Sequence, residues 1–420
     1  MQPRPTQLDV YYGSERVGSV HDSLPLSFEY APAWLGSSLR MSLASIPMQA
    51  GRQATPEVLA FFENLLPEGE LRDYLAVQRK ASTLFSLLLE VAGDTAGAFV
   101  LLAPGQTQEP PSYEATTWEA IAAHLAKRSA AAIDIQEQGA RISLAGAQDK
   151  TTLAIFDDGL PRLPRGTSPS THILKPNIRR LAKVWHSATN EVIVMRAAAL
   201  VGLPTAEVFY EPHTEACVVR RFDRQVRPDG GLTRLVQYDL CQLACTASER
   251  KYEKEGGPGL AACAQLIRLY SAQPAVDLRH LLRWVFFNLY VGNNDSHAKN
   301  LSIYSLPGQG VRLTPFYDLM CTRLYPGLSN EFAFAIGGEV RPGELGAEHL
   351  VQMARQLGMQ PRFVLQQARE MAERLPVAFS QSVQDVAVGL TPSAQTLADR
   401  LERFVQSTTR KMAVRLLAER

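Results

Sequence analysis

Asn293, Asn294, Asp295, His297, Lys299 and Asn300 place six polar side chains within eight positions. An apolar, helix-like run (Leu281, Leu282, Val285, Phe286, Leu289, Tyr290) precedes them and ends in Gly292, and the chain turns apolar again at Leu301. A polar cluster set between two apolar segments suits a site held on a rigid scaffold. Asp295 and Asn300 stand five apart, the D-x-x-x-x-N spacing of phosphoryl-transfer loops. There the Asp receives the proton of the attacking hydroxyl and the Asn holds a magnesium ion. An Asx-rich turn capping a helix gives a similar local sequence, so the partners elsewhere in the chain decide.

Phosphoryl transfer needs a cover over the phosphates, a cation on them, carboxylates for magnesium, and a base. The chain carries a candidate for each, in the order of a protein kinase. In the turn Ser143-Leu-Ala-Gly-Ala-Gln-Asp-Lys, Gly146 and its flanking Ala145 and Ala147 permit backbone N–H groups to approach phosphate oxygens. The turn is neither a Walker A loop nor G-x-G-x-x-G, and a plain hairpin turn is its ordinary alternative. Lys175 lies near the end of a strand-like segment and Glu191 sixteen residues later on a helix-like one, as in the lysine–glutamate pair that steadies the α- and β-phosphates. An exposed lysine and a solvated glutamate would read the same way.

Asp318 follows Asn300 by eighteen residues and is bracketed by Phe316, Tyr317, Leu319 and Met320. Burying it without a cation is costly; magnesium would supply one, and a helix N-cap is the alternative. His297 suits a phosphate or the base, or packing of the loop. Lys299 suits the transferring phosphate, or solvent.

Patterning supplies the scaffold. Residues 8–31 alternate as strands around a Gly13-Ser-Glu-Arg turn, 56–89 are helical in period, and 98–102 return to strand. The Pro-rich stretch that follows marks a boundary. We expect an N-terminal α/β subdomain at 1–104, a linker at 105–116, a strand-rich lobe at 117–224 and a helical lobe at 225–420. The second lobe should hold helices near 236–247, 259–271, 277–291, 345–356, 361–373 and 391–417, and Ser187–Leu200 should be an amphipathic helix with Val192, Met195 and Ala199 inward. The fold class is α+β, a protein-kinase-like two-lobed fold with an added small subdomain.

Composition excludes more than it selects. The chain has 420 residues, 46% of them apolar, with 43 Lys plus Arg against 42 Asp plus Glu. This near balance gives no global field toward nucleic acid or membrane. Five cysteines without a C-x-x-C pair suit buried thiols better than zinc. No run of 18 apolar residues occurs, so a cytoplasmic protein without membrane association is expected.

Ser143-Leu-Ala-Gly-Ala-Gln-Asp-Lys-Thr, His172-Ile-Leu-Lys-Pro, Asn190-Glu191, Arg221-Phe-Asp-Arg, Asp239-Leu-Cys-Gln, Asn294-Asp-Ser-His-Ala-Lys-Asn and Phe316-Tyr-Asp-Leu closely resemble the HipA family of bacterial serine/threonine kinase toxins. The resemblance spans nearly the whole chain. It implies ATP and Mg2+ as cofactors, Asp295 as the base, Asn300 and Asp318 as metal ligands, and Lys175 on the ATP phosphates. The turn formed by Ala145, Gly146, Ala147, Gln148, Asp149 and Lys150 would close over the nucleotide, and Arg220, Arg221 and Phe222 would form the hinge beside adenine. Glu191, His297 and Tyr317 join the nucleotide side, with His297 and Lys299 beside the base.

The same resemblance makes Ser143 a self-phosphorylated switch and an aminoacyl-tRNA synthetase the target class. It also implies a HipB-like helix-turn-helix antitoxin as partner, through which DNA is reached. A catalytically weak corepressor that bridges antitoxin dimers, and a small-molecule phosphotransferase, are the rival readings. Two positions depart from the family pattern: Tyr238, where an acidic residue is usual, and Arg220 in the hinge.

Overall fold

A computed structural model of the chain describes residues 4–91, 93–127 and 148–417. The chain divides into two compact units, Met1–Leu174 with Asp223–Arg250, and Lys175–Phe222 with Lys251–Arg420.

The first unit opens with a four-stranded antiparallel sheet in the order Ser27–Tyr30, Glu15–His21, Gln7–Tyr12, Phe99–Leu102. Leu8, Val10, Val17, Val20 and Phe28 are fully buried, as the alternation in the sequence requires. The helices Pro56–Glu63, Gly69–Gln78 and Leu84–Val91 belong to the same unit. A second antiparallel run follows: Ser112–Ala115 pairs with Pro161–Arg165, that strand with Thr151–Ile155, and that in turn with His172–Lys175. Residues 223–234 are tied back by charge. Arg224 donates to Asp94, Asp223 and the carbonyls of Thr95 and Gly97, all in the interior; such buried charges persist only when paired and hydrogen-bonded.

Where a helix over 236–247 was expected, the chain forms a strand, Gln237–Asp239, and a single helical turn, Leu240–Leu243. Asp239 accepts from the Gln242 amide while the Gln242 side chain accepts from the Asp239 amide. This capping box fixes where helix can begin.

The second unit is mainly helical. The helix Pro361–Ala387 packs against Ser187–Leu200, Pro274–Val291 and Pro392–Leu416. It runs well beyond the expected 373, through Pro376, because Leu375, Phe379, Val383 and Val386 continue its buried stripe, and that burial outweighs the cost of an interior proline. Ser187–Leu200 is not amphipathic in the expected sense. Its residues from Ser187 to Met195 are all buried, whereas Ala199 is exposed. A helix buried nearly all round, polar Asn190 and Glu191 included, belongs inside the core. Among the described residues no helix is long and apolar enough to cross a membrane.

Candidate active site

Lys175 ends its strand and precedes Pro176, which favours extended backbone in the residue before it. Its ammonium sits 2.6 Å from Glu191 Oε1 and 2.8 Å from Asp318 Oδ1. Glu191 is 1% exposed, while the Asp318 side chain keeps 43% of its surface. One carboxylate is therefore structural in setting and the other opens outward. Burial alone would depress the Lys175 ammonium, but Asp318 and Glu191 outweigh it and hold it above the usual lysine range. Cys217, also buried, is pushed up by burial and then by the Glu191 charge, so it stays a thiol.

Local capping sets these positions. The Asn177 side chain accepts from the Ala188 amide, which joins the chain just beyond Lys175 to the first turn of the Glu191 helix. Asn190 donates to the Cys321 carbonyl and accepts from the Cys321 amide, which joins that helix to the chain just beyond Asp318. Asp318 itself has φ of +59°, a left-handed conformation that a non-glycine residue holds only under surrounding constraint. That constraint is visible on its other side: the Phe316 amide donates to the Pro204 carbonyl, and the Phe316 carbonyl accepts from the Ala206 amide.

The polar cluster begins where the Pro274–Val291 helix ends. Gly292 closes that helix in the left-handed conformation, φ +75°. Asn293 then donates to Asn288 Oδ1 and accepts from the Asp295 amide, and the Asn294 amide donates to Thr322 Oγ1. From 291 to 301 every residue is buried except Asp295. The loop thus presents a single carboxylate outward from a hydrogen-bonded interior.

Asn300 Nδ2 donates to the Asp295 carbonyl at 3.0 Å, directing its carboxamide oxygen the other way. Tyr317, beside Asp318, donates to the Lys299 carbonyl, beside Asn300, and shares a hydrogen bond with Ser302. Lys175, Glu191, Asp295, Asn300 and Asp318 are therefore joined through one set of contacts.

The other expected residues lie as follows. His297 is 4% exposed, with its ring edge-on to Tyr252, and Lys299 is buried. Arg220 pairs at the surface with Glu207, Arg221 is buried, and Phe222 packs on Tyr317 and Tyr304. Gln148 and Asp149 are half-buried and Lys150 is buried in the first unit. Ser143, Ala145, Gly146 and Ala147 lie outside the described residues. Tyr238 lies in the first unit, its ring against Phe61 and Phe99 and its hydroxyl on the Ser42 carbonyl. Tyr252, which no motif pointed to, donates to Asp295 Oδ1 at 2.5 Å.

These elements and this cluster are those of a protein-kinase-like α+β enzyme. Residues 142–379 match the HipA-like C-terminal domain and residues 8–102 the HipA N-terminal domain. The chain belongs to the HipA family of serine/threonine-protein kinase toxins, and it is a kinase. It is 35% identical over 408 residues to the putative kinase Y4mE of Sinorhizobium fredii, covering 93% of this chain and 94% of that one. It is 28% identical over 397 residues to the serine/threonine-protein kinase toxin HipA of Shewanella oneidensis, covering 90% and 89%. In solved structures, the fold is similar to a chain of the Shewanella oneidensis complex of HipA, HipB and operator DNA, with TM-score 0.82 and 24% identity over 98% of this chain and 100% of that chain.

Proposed function

We propose that this chain phosphorylates serine or threonine hydroxyls of a protein, using ATP and Mg2+, as the toxin of a HipA–HipB-type module. The observation that carries the reading is the buried Lys175 ammonium shared between Glu191 and Asp318. Glu191 holds the lysine in place, and Lys175 binds phosphate oxygens as a fixed positive charge. The donor set of Asn300 Oδ1 and the half-open Asp318 carboxylate fits magnesium, which takes oxygen ligands, uses one or two carboxylates and keeps several waters. When bound there, the ion neutralises charge on the phosphates.

Asp295 accepts the proton of the acceptor hydroxyl as its oxygen bonds to the γ-phosphorus and the bond to the departing ADP oxygen breaks. The exposure of Asp295 suits an acceptor presented on a macromolecule. We extend the reading, on family resemblance, to a translation component such as an aminoacyl-tRNA synthetase as target, to silencing by phosphorylation of Ser143, and to a HipB-like antitoxin that brings the chain to DNA. The Shewanella oneidensis relative was solved with HipB and operator DNA, which supports the choice of partner.

Incubation of the full chain with labelled ATP and magnesium should yield phosphoserine at position 143, mapped by mass spectrometry. Asp295→Ala should lower the rate by a factor of about 100 or more. Lys175→Met should abolish labelling as well, and it should also lower stability by roughly 3–5 kcal/mol because Glu191 loses its buried cation. Labelling at the wild-type rate in Asp295→Ala would remove this residue from the role of base.

A further inference from the structure

Asp295 has two carboxylate oxygens, and one is already engaged. The Tyr252 hydroxyl donates to Oδ1, forty-three residues away along the chain but within the same compact unit. Tyr252 is not a loose surface side chain. It is half-buried and its ring stands edge-on to the buried His297, centroids 5.0 Å apart at 86°. Its chain neighbours are fastened too: Glu253 Oε2 accepts from the Ala335 amide at 2.8 Å, and Lys254 pairs with Glu331 at 3.3 Å. The loop backbone meanwhile fixes Asp295 from the other side, through its amide to Asn293 and its carbonyl to Asn300 and His297.

Resting on the reading of Asp295 as the base, we propose that Tyr252 is a positioning residue for phosphoryl transfer: it holds the Asp295 carboxylate in one rotamer and leaves Oδ2 for the acceptor hydroxyl. An exposed aspartate otherwise samples several side-chain rotamers. A base must meet the proton it takes within hydrogen-bond reach, and fixing that geometry beforehand removes an orientation cost from the reaction. Its hydroxyl lies on the base and its ring against His297. A hydrogen bond to a charged group is strong enough that its loss should be felt about tenfold in rate.

The test compares wild type, Tyr252→Phe, Asp295→Asn and the double variant as full-length chains, with rates of protein phosphorylation at saturating ATP, KM for ATP, binding of a non-hydrolysable ATP analogue, and Tm. The proposal expects Tyr252→Phe to lower kcat about tenfold while KM for ATP, analogue binding and Tm stay at wild-type values. It also expects Tyr252→Phe to add nothing to Asp295→Asn, because a residue acting only through the base has no effect once the base is gone. Unchanged or raised kcat in Tyr252→Phe, or full additivity in the double variant, overturns it. Parallel losses of analogue binding and Tm would overturn it too, by making the tyrosine merely structural. If Asp295→Asn itself retains wild-type kcat, the reading of the base fails rather than that of Tyr252.

Discussion

Asn190 grips the backbone of Cys321 at both ends, donating to its carbonyl at 3.0 Å and accepting from its amide at 2.8 Å. Its Nδ2 also donates to the Tyr325 hydroxyl, which in turn donates to the Trp185 carbonyl. One buried carboxamide, adjacent to Glu191, thus sets the distance between the helix that carries Glu191 and the chain that carries Asp318. Lys175 can bridge the two carboxylates because that distance is held.

Asn190→Ala takes the side-chain partner from the buried Cys321 amide and carbonyl, at a cost of about 1–3 kcal/mol from the usual penalty for an unsatisfied buried group. Urea unfolding followed by tryptophan fluorescence should show this loss. Phosphorylation at a temperature where the variant is fully folded should still fall several-fold, since Asp318 is no longer held against Lys175. Wild-type kinase activity in a folded Asn190→Ala protein would show that the grip serves stability alone.

A second prediction concerns acid. Asp277, fully buried in the first turn of the Pro274–Val291 helix, accepts from Arg312 Nε and Nη2, Ser271 Oγ and the Leu313 amide. Burial alone would raise its carboxyl, but Arg312 and the other donors outweigh it and hold it below the ordinary aspartate value. A depressed carboxyl contributes stability above its unfolded value of about 3.9, and that contribution is lost as pH falls through the folded value. Asp277→Asn should therefore cost roughly 2–4 kcal/mol at neutral pH. The gap between wild type and variant should narrow below about pH 4, read from urea midpoints across pH. The Lys175 ammonium has the opposite sign. Its raised value keeps its contribution whole through neutral pH, with loss only as pH climbs through the folded value.

Gly292→Ala tests the junction between the Pro274–Val291 helix and the Asn293–Asn300 loop. The position has φ of +75°, and an added Cβ would lie 2.9 Å from Phe404 Cε1 and 3.3 Å from Arg323 Cβ. Strain and crowding together should lower stability by about 1–3 kcal/mol. Because Asn293 starts immediately beyond, kcat should fall more than the loss of folded protein explains, as measured by activity per folded molecule after calorimetry.

Much of this site is legible from residue order. The Asp295–Asn300 spacing, the strand-end position of Lys175, the helix bearing Glu191 and the apolar frame of Asp318 are all local patterns, and local patterns survive in a sequence because period and spacing encode them. The identity of the fold followed from the same strings. Three elements differ from the expectation for a physical reason. Tertiary burial, not amphipathic period, decides the Ser187–Leu200 helix and the continuation through Pro376, and the Asp239–Gln242 capping box outweighs the helical period of the chain around it. Tyr238, a departure from the family pattern, packs against Phe61 and Phe99, a contact no local pattern announces.

The sequence alone therefore determined which groups could do the chemistry and in what order they occur, since those are properties of residue type and spacing. Only the tertiary structure decided which carboxylate is sealed and which is open, that Asp295 alone faces outward from its loop, and that Tyr252 holds its oxygen. Those facts depend on contacts between segments as much as 143 residues apart, set by packing and by the need of buried polar groups for partners, and no local pattern records them.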